Sequence, residues 1–234
     1  MNQIKCIFFD LGWTLLEPCS GDWLFSHKFY EMFSREKINK IDHQLWQHAY
    51  NVAYAPFIEN PKMSSEQEQV ERFTRFYLTL FDLAKIDGGF KEAVTLAVDM
   101  IENVKTTALI EGAKETLKAL KNQGYRIGII SNTWPSVDRI MQTFGLDEFV
   151  NQCSYSYQLG YSKPDVEIYN DALEKSGCLP QECVFVDDQL NNLDVAKQLG
   201  MHGVQMIYHS DVEVGEYPTI TKPSELLNLL QVGI

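Results

Sequence analysis

Four groups of polar residues stand out because each directly follows a short apolar run or opens a helix-like segment. The groups are Asp10, Ser131-Asn132, Lys163 and Asp187-Asp188. The Asp10 carboxylate could act as a nucleophile and form a covalent intermediate. Together with Asp187 and Asp188, it could also hold a hard cation such as Mg²⁺, which binds through a few carboxylates, water and substrate phosphate.

The remaining groups are suited to an anionic ligand. The Ser131 hydroxyl and the Asn132 amide could hydrogen-bond phosphate oxygens. The Lys163 ammonium could offset the charge of the nucleophile and of a phosphoryl group. These residue types therefore predict a site for a phosphorylated ligand, provided that the fold brings them to one place.

The apolar patterning indicates a fold that would do so. Five short apolar runs are typical of buried strands, namely residues 4–9, 125–131, 149–155, 183–187 and 203–207. Helix-like segments that stop before a glycine lie between them, at residues 113–122, 136–144, 166–176 and 190–199. Strands alternating with short helices predict right-handed βαβ units and a Rossmann-like parallel sheet. Ligands bind at the carboxyl ends of such strands, where Asp10, Ser131-Asn132 and Asp187-Asp188 stand, and Lys163 follows the third strand at the opening of a helix.

The interval 16–107 breaks this rhythm. It has no convincing strand, and its amphipathic stretches are typical of helices over residues 23–33, 43–54, 65–83 and 90–103. Half of the 28 aromatic residues of the chain fall here, enough for a separate core. We therefore predict an α/β fold with two domains, a sheet domain of residues 1–15 plus 108–234 and an inserted helical domain of residues 16–107.

The polar groups lie in four motifs that occur in a fixed order. These are Phe-Phe-Asp10-Leu-Gly-Trp-Thr14-Leu, Ile-Ile-Ser131-Asn132-Thr, Leu-Gly-Tyr-Ser-Lys163-Pro164, and Val-Phe-Val-Asp187-Asp188 leading to Ala196 and Leu199-Gly200. In them the chain resembles the haloacid dehalogenase superfamily, whose members are mostly Mg²⁺-dependent phosphatases. The helical insertion resembles the small helical cap of that family.

The resemblance implies a metal site. Asp10 would be the phosphoryl-accepting nucleophile and also a Mg²⁺ ligand. The backbone carbonyl of Gly12 and the carboxylate of Asp188 would be further ligands. Asp187 would bind the ion directly or through water.

It also implies a phosphate site. Thr14 and Ser131 would bind the phosphate, and the amide of Asn132 is a further donor beside them. Lys163 would pair with both Asp10 and the phosphate.

Gly12 departs from the family pattern. The family usually has a second Asp at this position, which protonates the leaving group and then activates the attacking water. A general acid–base group is typically worth about 10²–10⁴-fold in rate. Poor leaving groups should therefore react slowly here, and dephosphorylation of the enzyme should be slow.

Some subgroups of the family also lack this Asp. Phosphonate-cleaving members have Ala and use a cap lysine, and dehalogenating members have an aromatic residue. A subgroup typified by α-glucose-1-phosphate phosphatase reads Asp-Leu-Gly-Asn-Val. The chain resembles that subgroup in Gly12 and in Ser131-Asn132-Thr133, Gln158-Leu159-Gly160 and Asn191-Asn192.

Three functions stay open. The first is a phosphatase that forms an aspartyl phosphate on Asp10. The second, favoured by Gly12, is a weakened phospho-ligand-binding or regulatory module. The third is cleavage of another bond, such as a phosphonate, which would require a cap lysine from among Lys28, Lys37, Lys40 and Lys62.

Four further residues in or near the insertion are weaker candidates for a role at the site. Glu17 is a tempting replacement acid, although a plain surface carboxylate is the simpler interpretation. The imidazoles of His27, His43 and His48 could face substrate or simply lie on helix surfaces.

Composition narrows the partners and the location. The formal net charge is −12, which argues against nucleic acid and anionic membranes as partners. Five cysteines without a C-x-x-C pair indicate reduced thiols. The sequence has no apolar run of about 18 residues and no signal-peptide core. We therefore expect a cytoplasmic enzyme for a small phosphorylated substrate, as a monomer or a homodimer.

Overall fold

The computed structural model describes residues 3–209 and 212–233. Its contacts divide the chain into two compact units. The sheet unit comprises the chain up to Glu17, from Leu109 to Thr133 and from Met141 onward. The helical unit comprises Pro18–Ala108 and Trp134–Ile140. The last of these segments, which the sequence placed in the sheet domain, thus groups with the helices.

The sheet unit contains a six-stranded sheet in which every neighbouring pair is parallel. The strands of the chain are β1 (Cys6–Phe9), β2 (Leu16–Pro18), β3 (Thr107–Leu109), β4 (Arg126–Ser131), β5 (Gln152–Tyr155), β6 (Cys183–Asp187), β7 (His202–Met206) and β8 (Thr219–Ile220). The order in the sheet is β5-β4-β1-β6-β7-β8, while β2 and β3 form a separate pair. This arrangement confirms the predicted parallel α/β fold.

Helices flank the sheet and build the insertion. They are α1 (His27–Phe33), α2 (Arg35–Ile38), α3 (His43–Glu59), α4 (Glu66–Ala84), α5 (Phe90–Glu102), α6 (Ala113–Asn122), α7 (Val137–Phe144), α8 (Ser156–Leu159), α9 (Val166–Ser176), α10 (Leu190–Gln198) and α11 (Leu226–Val232). Within the described residues, no helix is both long and apolar enough to cross a membrane.

Strand β1 is fully buried, as expected for a central strand covered on both faces. Phe8 of this strand stands opposite Gly128 of β4. A Cβ atom at position 128 would lie 2.5 Å from the Phe8 ring, so only glycine fits there. This close approach lets the large Phe8 side chain pack into the core beside Phe185.

The helical unit has its own aromatic core. The Phe25 and Phe29 rings lie 4.6 Å apart, and Phe73 and Tyr77 are fully buried. The Tyr77 hydroxyl donates to the Leu24 carbonyl at 2.6 Å, so its polar atom is satisfied inside the core.

Two predicted helices of the insertion have different ends in the structure. The helix expected from residue 23 begins only at His27, because the backbone of Ser26 is extended, with φ −66° and ψ 169°, and its hydroxyl donates to Asp99 at 2.7 Å. The helix expected to end at Tyr54 continues through Pro56 to Glu59. Phe57 packs 5.1 Å from Phe73, which offsets the hydrogen bond lost at the proline.

Candidate active site

The candidate site lies at the carboxyl ends of the central strands. Asp10 directly follows β1, and its N–H donates to the Val186 carbonyl of β6 at 2.9 Å. Ser131 is the last residue of β4, and Asp187 is the last residue of β6. Strand β1 lies between β4 and β6, and the chain places later strands first on the β4 side and then on the β6 side. The carboxyl end of β1 is therefore a topological switch point of the sheet.

A buried lysine joins two of the carboxylates. The Lys163 Nζ lies 2.7 Å from Asp10 Oδ1 and 2.7 Å from Asp187 Oδ2, with only 3% of the lysine side chain exposed. Burial by itself would lower the pKa of Lys163, but the charges of Asp10 and Asp187 outweigh it and raise the pKa above its usual value. The lysine is therefore a fixed cation between the two acids.

Asp187 is held from several directions. Its Oδ1 accepts from the Gln189 N–H at 2.8 Å, and the Asn192 amide donates to both of its oxygens at 3.0 and 3.1 Å. With the Lys163 contact, this carboxylate is immobilised inside the protein. Sequence reasoning assigned no such part to Asn192, although its position in the first turn of α10, five residues after Asp187, is compatible with it.

The three aspartates could hold a cation. One carboxylate oxygen from each of Asp10, Asp187 and Asp188 lies within 4.8 Å of the others. Burial, followed by the negative charges of Asp10 and Asp187, raises the pKa of Asp188 to about 8. Hard oxygen donors in this number and a surplus of negative charge fit a divalent cation such as Mg²⁺.

Two of the four motifs contain a buried hydroxyl group. Ser131 and Thr14 are both almost completely buried. Within residues 3–209 and 212–233, the Thr14 hydroxyl is the one buried side-chain oxygen or nitrogen without a hydrogen-bond partner. Because an unpaired buried hydroxyl is costly, this atom fits a ligand that supplies the missing partner.

The Asn132 side chain binds the backbone of Lys163. Its Oδ1 accepts from the Lys163 N–H at 2.7 Å, and its Nδ2 donates to the Lys163 carbonyl at 3.0 Å. Sequence reasoning expected this amide to face phosphate. The second Nδ2 hydrogen is compatible with that contact, but the observed bonds fix the loop that carries the lysine.

Glu17, three histidines and Gly12 have the following surroundings. Glu17 accepts a hydrogen bond from the Tyr208 hydroxyl at 3.0 Å, which helps to raise the pKa of that tyrosine alongside its burial. His27, His43 and His48 are all exposed on the helical unit. Gly12 is half-buried and forms an isolated β-bridge with Leu16. At this position the chain offers backbone groups and no side chain.

Comparison with known proteins gives a consistent result. A family model described as haloacid dehalogenase-like hydrolase matches residues 4–200. The chain is 29% identical over 246 residues to a glyceraldehyde 3-phosphate phosphatase of Pyrococcus furiosus, covering 99% of this chain and 95% of that protein.

Solved structures are similar over the whole chain. A predicted phosphoglycolate phosphatase from Haemophilus somnus matches with a TM-score of 0.62 and 20% identity, covering 98% of this chain and 99% of the other. An L-2-haloacid dehalogenase from Xanthobacter autotrophicus matches with a TM-score of 0.67 and 14% identity, covering 98% and 99%. At these identities the likeness shows the fold alone.

Proposed function

The chain belongs to the haloacid dehalogenase-like hydrolases, and from that premise we propose that it is a Mg²⁺-dependent phosphatase of a small phosphorylated metabolite such as a sugar phosphate. The observation that carries the proposal is the Lys163 ammonium fixed between Asp10 and Asp187. The Lys163 ammonium offsets negative charge of the buried Asp10 and Asp187 carboxylates. It contacts Oδ1 of Asp10, so Oδ2 of Asp10 can take part in the reaction. The buried hydroxyls of Ser131 and Thr14 add donors for a phosphate.

In the proposed reaction Asp10 is the nucleophile. Its carboxylate oxygen that does not contact Lys163 attacks phosphorus in line, a new O–P bond forms, and the bond from phosphorus to the substrate oxygen breaks. Because Gly12 offers no acid, the leaving oxygen takes its proton from water. A water molecule then attacks the aspartyl phosphate and gives up a proton to solvent, which releases inorganic phosphate and restores Asp10. Lys163 stabilises the charge on Asp10 and on the phosphoryl oxygens throughout.

The metal would be held by the acids described above. Asp10, Asp188 and the backbone carbonyl of Gly12 would be direct ligands, and Asp187 would bind directly or through water. When bound, Mg²⁺ supplies positive charge that screens the nucleophile and the phosphoryl oxygens from each other.

The similarity to a glyceraldehyde 3-phosphate phosphatase supports a small phosphorylated substrate. In this proposal residues 16–107 form the cap that selects it. The net charge of −12 disfavours nucleic-acid substrates. We further propose a cytoplasmic location and a monomeric or homodimeric state.

Phosphate release tests the proposal directly. Wild-type protein is expected to release phosphate from p-nitrophenyl phosphate and from at least one member of a sugar-phosphate panel when Mg²⁺ is present. Addition of EDTA should abolish this turnover, and excess Mg²⁺ should restore it. Equal turnover with EDTA and with Mg²⁺ would contradict a metal-dependent reaction.

Gly12→Asp tests the missing acid–base group. The new carboxylate is expected to raise the rate on alkyl phosphates by about 10²-fold, and the rate on aryl phosphates by much less, because aryl leaving groups need little protonation. The measurement is kcat on matched alkyl and aryl phosphates, with Gly12→Ala as the control for loss of glycine. An equal or negative effect on both substrates would show that another group already supplies the proton.

A second candidate function is a phospho-ligand-binding module, which Gly12 favours. It predicts that wild-type protein binds phosphorylated ligands without turnover. The buried Asp10–Lys163 pair argues against it, because binding alone does not require a nucleophile.

Phosphonate cleavage receives no support from the cap lysines. A Schiff-base lysine needs desolvation or a cationic neighbour to lower its pKa. All four candidates, Lys28, Lys37, Lys40 and Lys62, are exposed. Lys28 also faces the Glu31 carboxylate of its own helix at 3.6 Å, and Lys40, just after α2, faces the Glu36 carboxylate at 2.6 Å.

A further inference from the structure

The chain segment after the end of β4 passes from one unit to the other within a few residues. Ser131 ends β4, and the part of the sheet unit that contains β4 ends at Thr133. From Trp134 to Ile140 the chain groups with the helical unit. The proposed phosphate-binding residues are therefore covalently joined to a segment that packs against the insertion.

A buried glutamine of α4 holds this segment. The Gln69 Nε2 donates to the Ser136 hydroxyl at 2.9 Å, and the Ser136 N–H donates to Gln69 Oε1 at 2.9 Å. Gln69 is 1% exposed and Ser136 is 5% exposed. The nitrogen and the oxygen of the Gln69 amide group both bind Ser136, so Gln69 fixes the side chain and the backbone of Ser136.

The segment also has apolar and surface contacts. The Trp134 ring lies 5.1 Å from Phe73 and 6.4 Å from Phe57, edge to face. Arg139 pairs with Glu66 at 2.6 Å, with 46% and 37% of the two side chains exposed, and such pairs contribute little. The two bonds to Gln69, in contrast, are buried.

The preceding residues are held inside the sheet unit. The Thr133 N–H donates to the Ser156 hydroxyl at 2.9 Å, and the Asn132 amide holds the Lys163 backbone. Between Thr133 and Ser136 lie only two residues, each with two soft backbone dihedrals, and Pro135 fixes one of these. The backbone link between Ser136 and the residues after β4 is therefore short and has few rotatable bonds.

We propose that Gln69 is a positioning residue for phosphate binding. Through Ser136 it fixes the backbone that continues from Ser131 and Asn132, and so keeps their donors aimed at the phosphate. This inference rests on the proposed function. The helical insertion would thus affect the affinity for phosphate without any of its side chains contacting the phosphate.

Kinetics of Gln69→Leu test the inference. Leucine has a similar volume and forms neither hydrogen bond. The KM for a phosphomonoester and the inhibition constant for inorganic phosphate are expected to rise about tenfold, while kcat stays within about twofold. Ser136→Ala, which keeps the backbone N–H bond to Gln69, should raise both constants by a smaller factor. The double variant should not exceed Gln69→Leu, because the two residues act as one pair.

Thr74→Val is the matched control. Thr74 is a buried polar residue of the same helix, and its hydroxyl donates to the Val70 carbonyl within α4 at 2.8 Å. This variant should leave KM and the phosphate constant unchanged. A merely structural role of Gln69 would lower the folded fraction, and hence apparent kcat, at constant KM.

The outcomes separate the two proposals. If wild-type protein turns over and Gln69→Leu or Ser136→Ala leaves KM and the phosphate constant unchanged, the positioning role is overturned. If wild-type protein does not turn over, calorimetric titration with inorganic phosphate replaces kinetics, and a tenfold weaker binding by Gln69→Leu supports the positioning role alone. Wild-type protein that neither releases nor binds phosphate would overturn both proposals.

Discussion

Replacement of Asp10 by Asn is expected to reduce Mg²⁺-dependent phosphate release by about 10⁴-fold or more, since loss of a nucleophile removes the covalent route altogether. The amide cannot attack phosphorus, although it has nearly the same shape. Lys163 keeps its second partner, Asp187, at 2.7 Å, so the fold should survive. The measurement is phosphate release from the best substrate of the panel, with the melting temperature as a check on folding.

Asp147→Asn provides the control for loss of one negative charge. Asp147 is exposed and lies in the sheet unit, away from the motifs. Its variant should retain wild-type turnover. Undiminished turnover by Asp10→Asn would remove Asp10 from the mechanism, and the proposed aspartyl phosphate with it.

Replacement of Lys163 by Met is expected to affect both activity and stability. The variant leaves Asp10 and Asp187 buried without their shared cation, and breaking a buried ion pair on one side costs about 3–5 kcal/mol. Turnover should also fall by about 10³-fold, because the charge that stabilises the phosphoryl group is lost. Thermal or denaturant unfolding measures the first effect, and phosphate release measures the second.

Mg²⁺ should distinguish the electrostatic cause from simple loss of packing. A cation bound by the three aspartates replaces part of the missing charge, so Mg²⁺ should raise the melting temperature of Lys163→Met more than that of wild type. Lys175→Met is the matched control, because Lys175 pairs with Asp171 at 2.6 Å near the surface. That exposed pair should be worth about 1 kcal/mol or less. Equal destabilisation by the two variants would contradict the role given to Lys163.

The sequence alone was sufficient for the family and the sheet. The family predicted from the four motifs is confirmed by the match over residues 4–200, and the parallel sheet is confirmed by the strand order. Both depend on signals that are local in the chain. A fully apolar run such as β1 indicates a strand buried on both faces, and a glycine after an amphipathic stretch indicates the end of a helix. The closer resemblance to the α-glucose-1-phosphate phosphatase subgroup stays a prediction.

Sequence reasoning was less accurate where side chains compete with local patterns. The start of α1 lies after Ser26, whose backbone is extended and whose hydroxyl donates to Asp99 of α5. The length of α3 depends on Phe57, which packs into an aromatic core formed by a different helix. In both cases a contact outweighs the intrinsic preference of the segment.

The sequence by itself determined which residue types stand at the strand ends, because a polar residue that closes or directly follows a buried apolar run lies at the carboxyl end of that strand. Only the tertiary structure decided the contacts beyond the Lys163–Asp10 pair that the resemblance implied. Lys163 also contacts Asp187, Asn192 holds Asp187, and Gln69 holds Ser136 across 67 positions of sequence. Hydrogen bonds and ion pairs of this kind leave no period or spacing in the chain, since they depend on side-chain direction and on distances that exist only after the elements have packed.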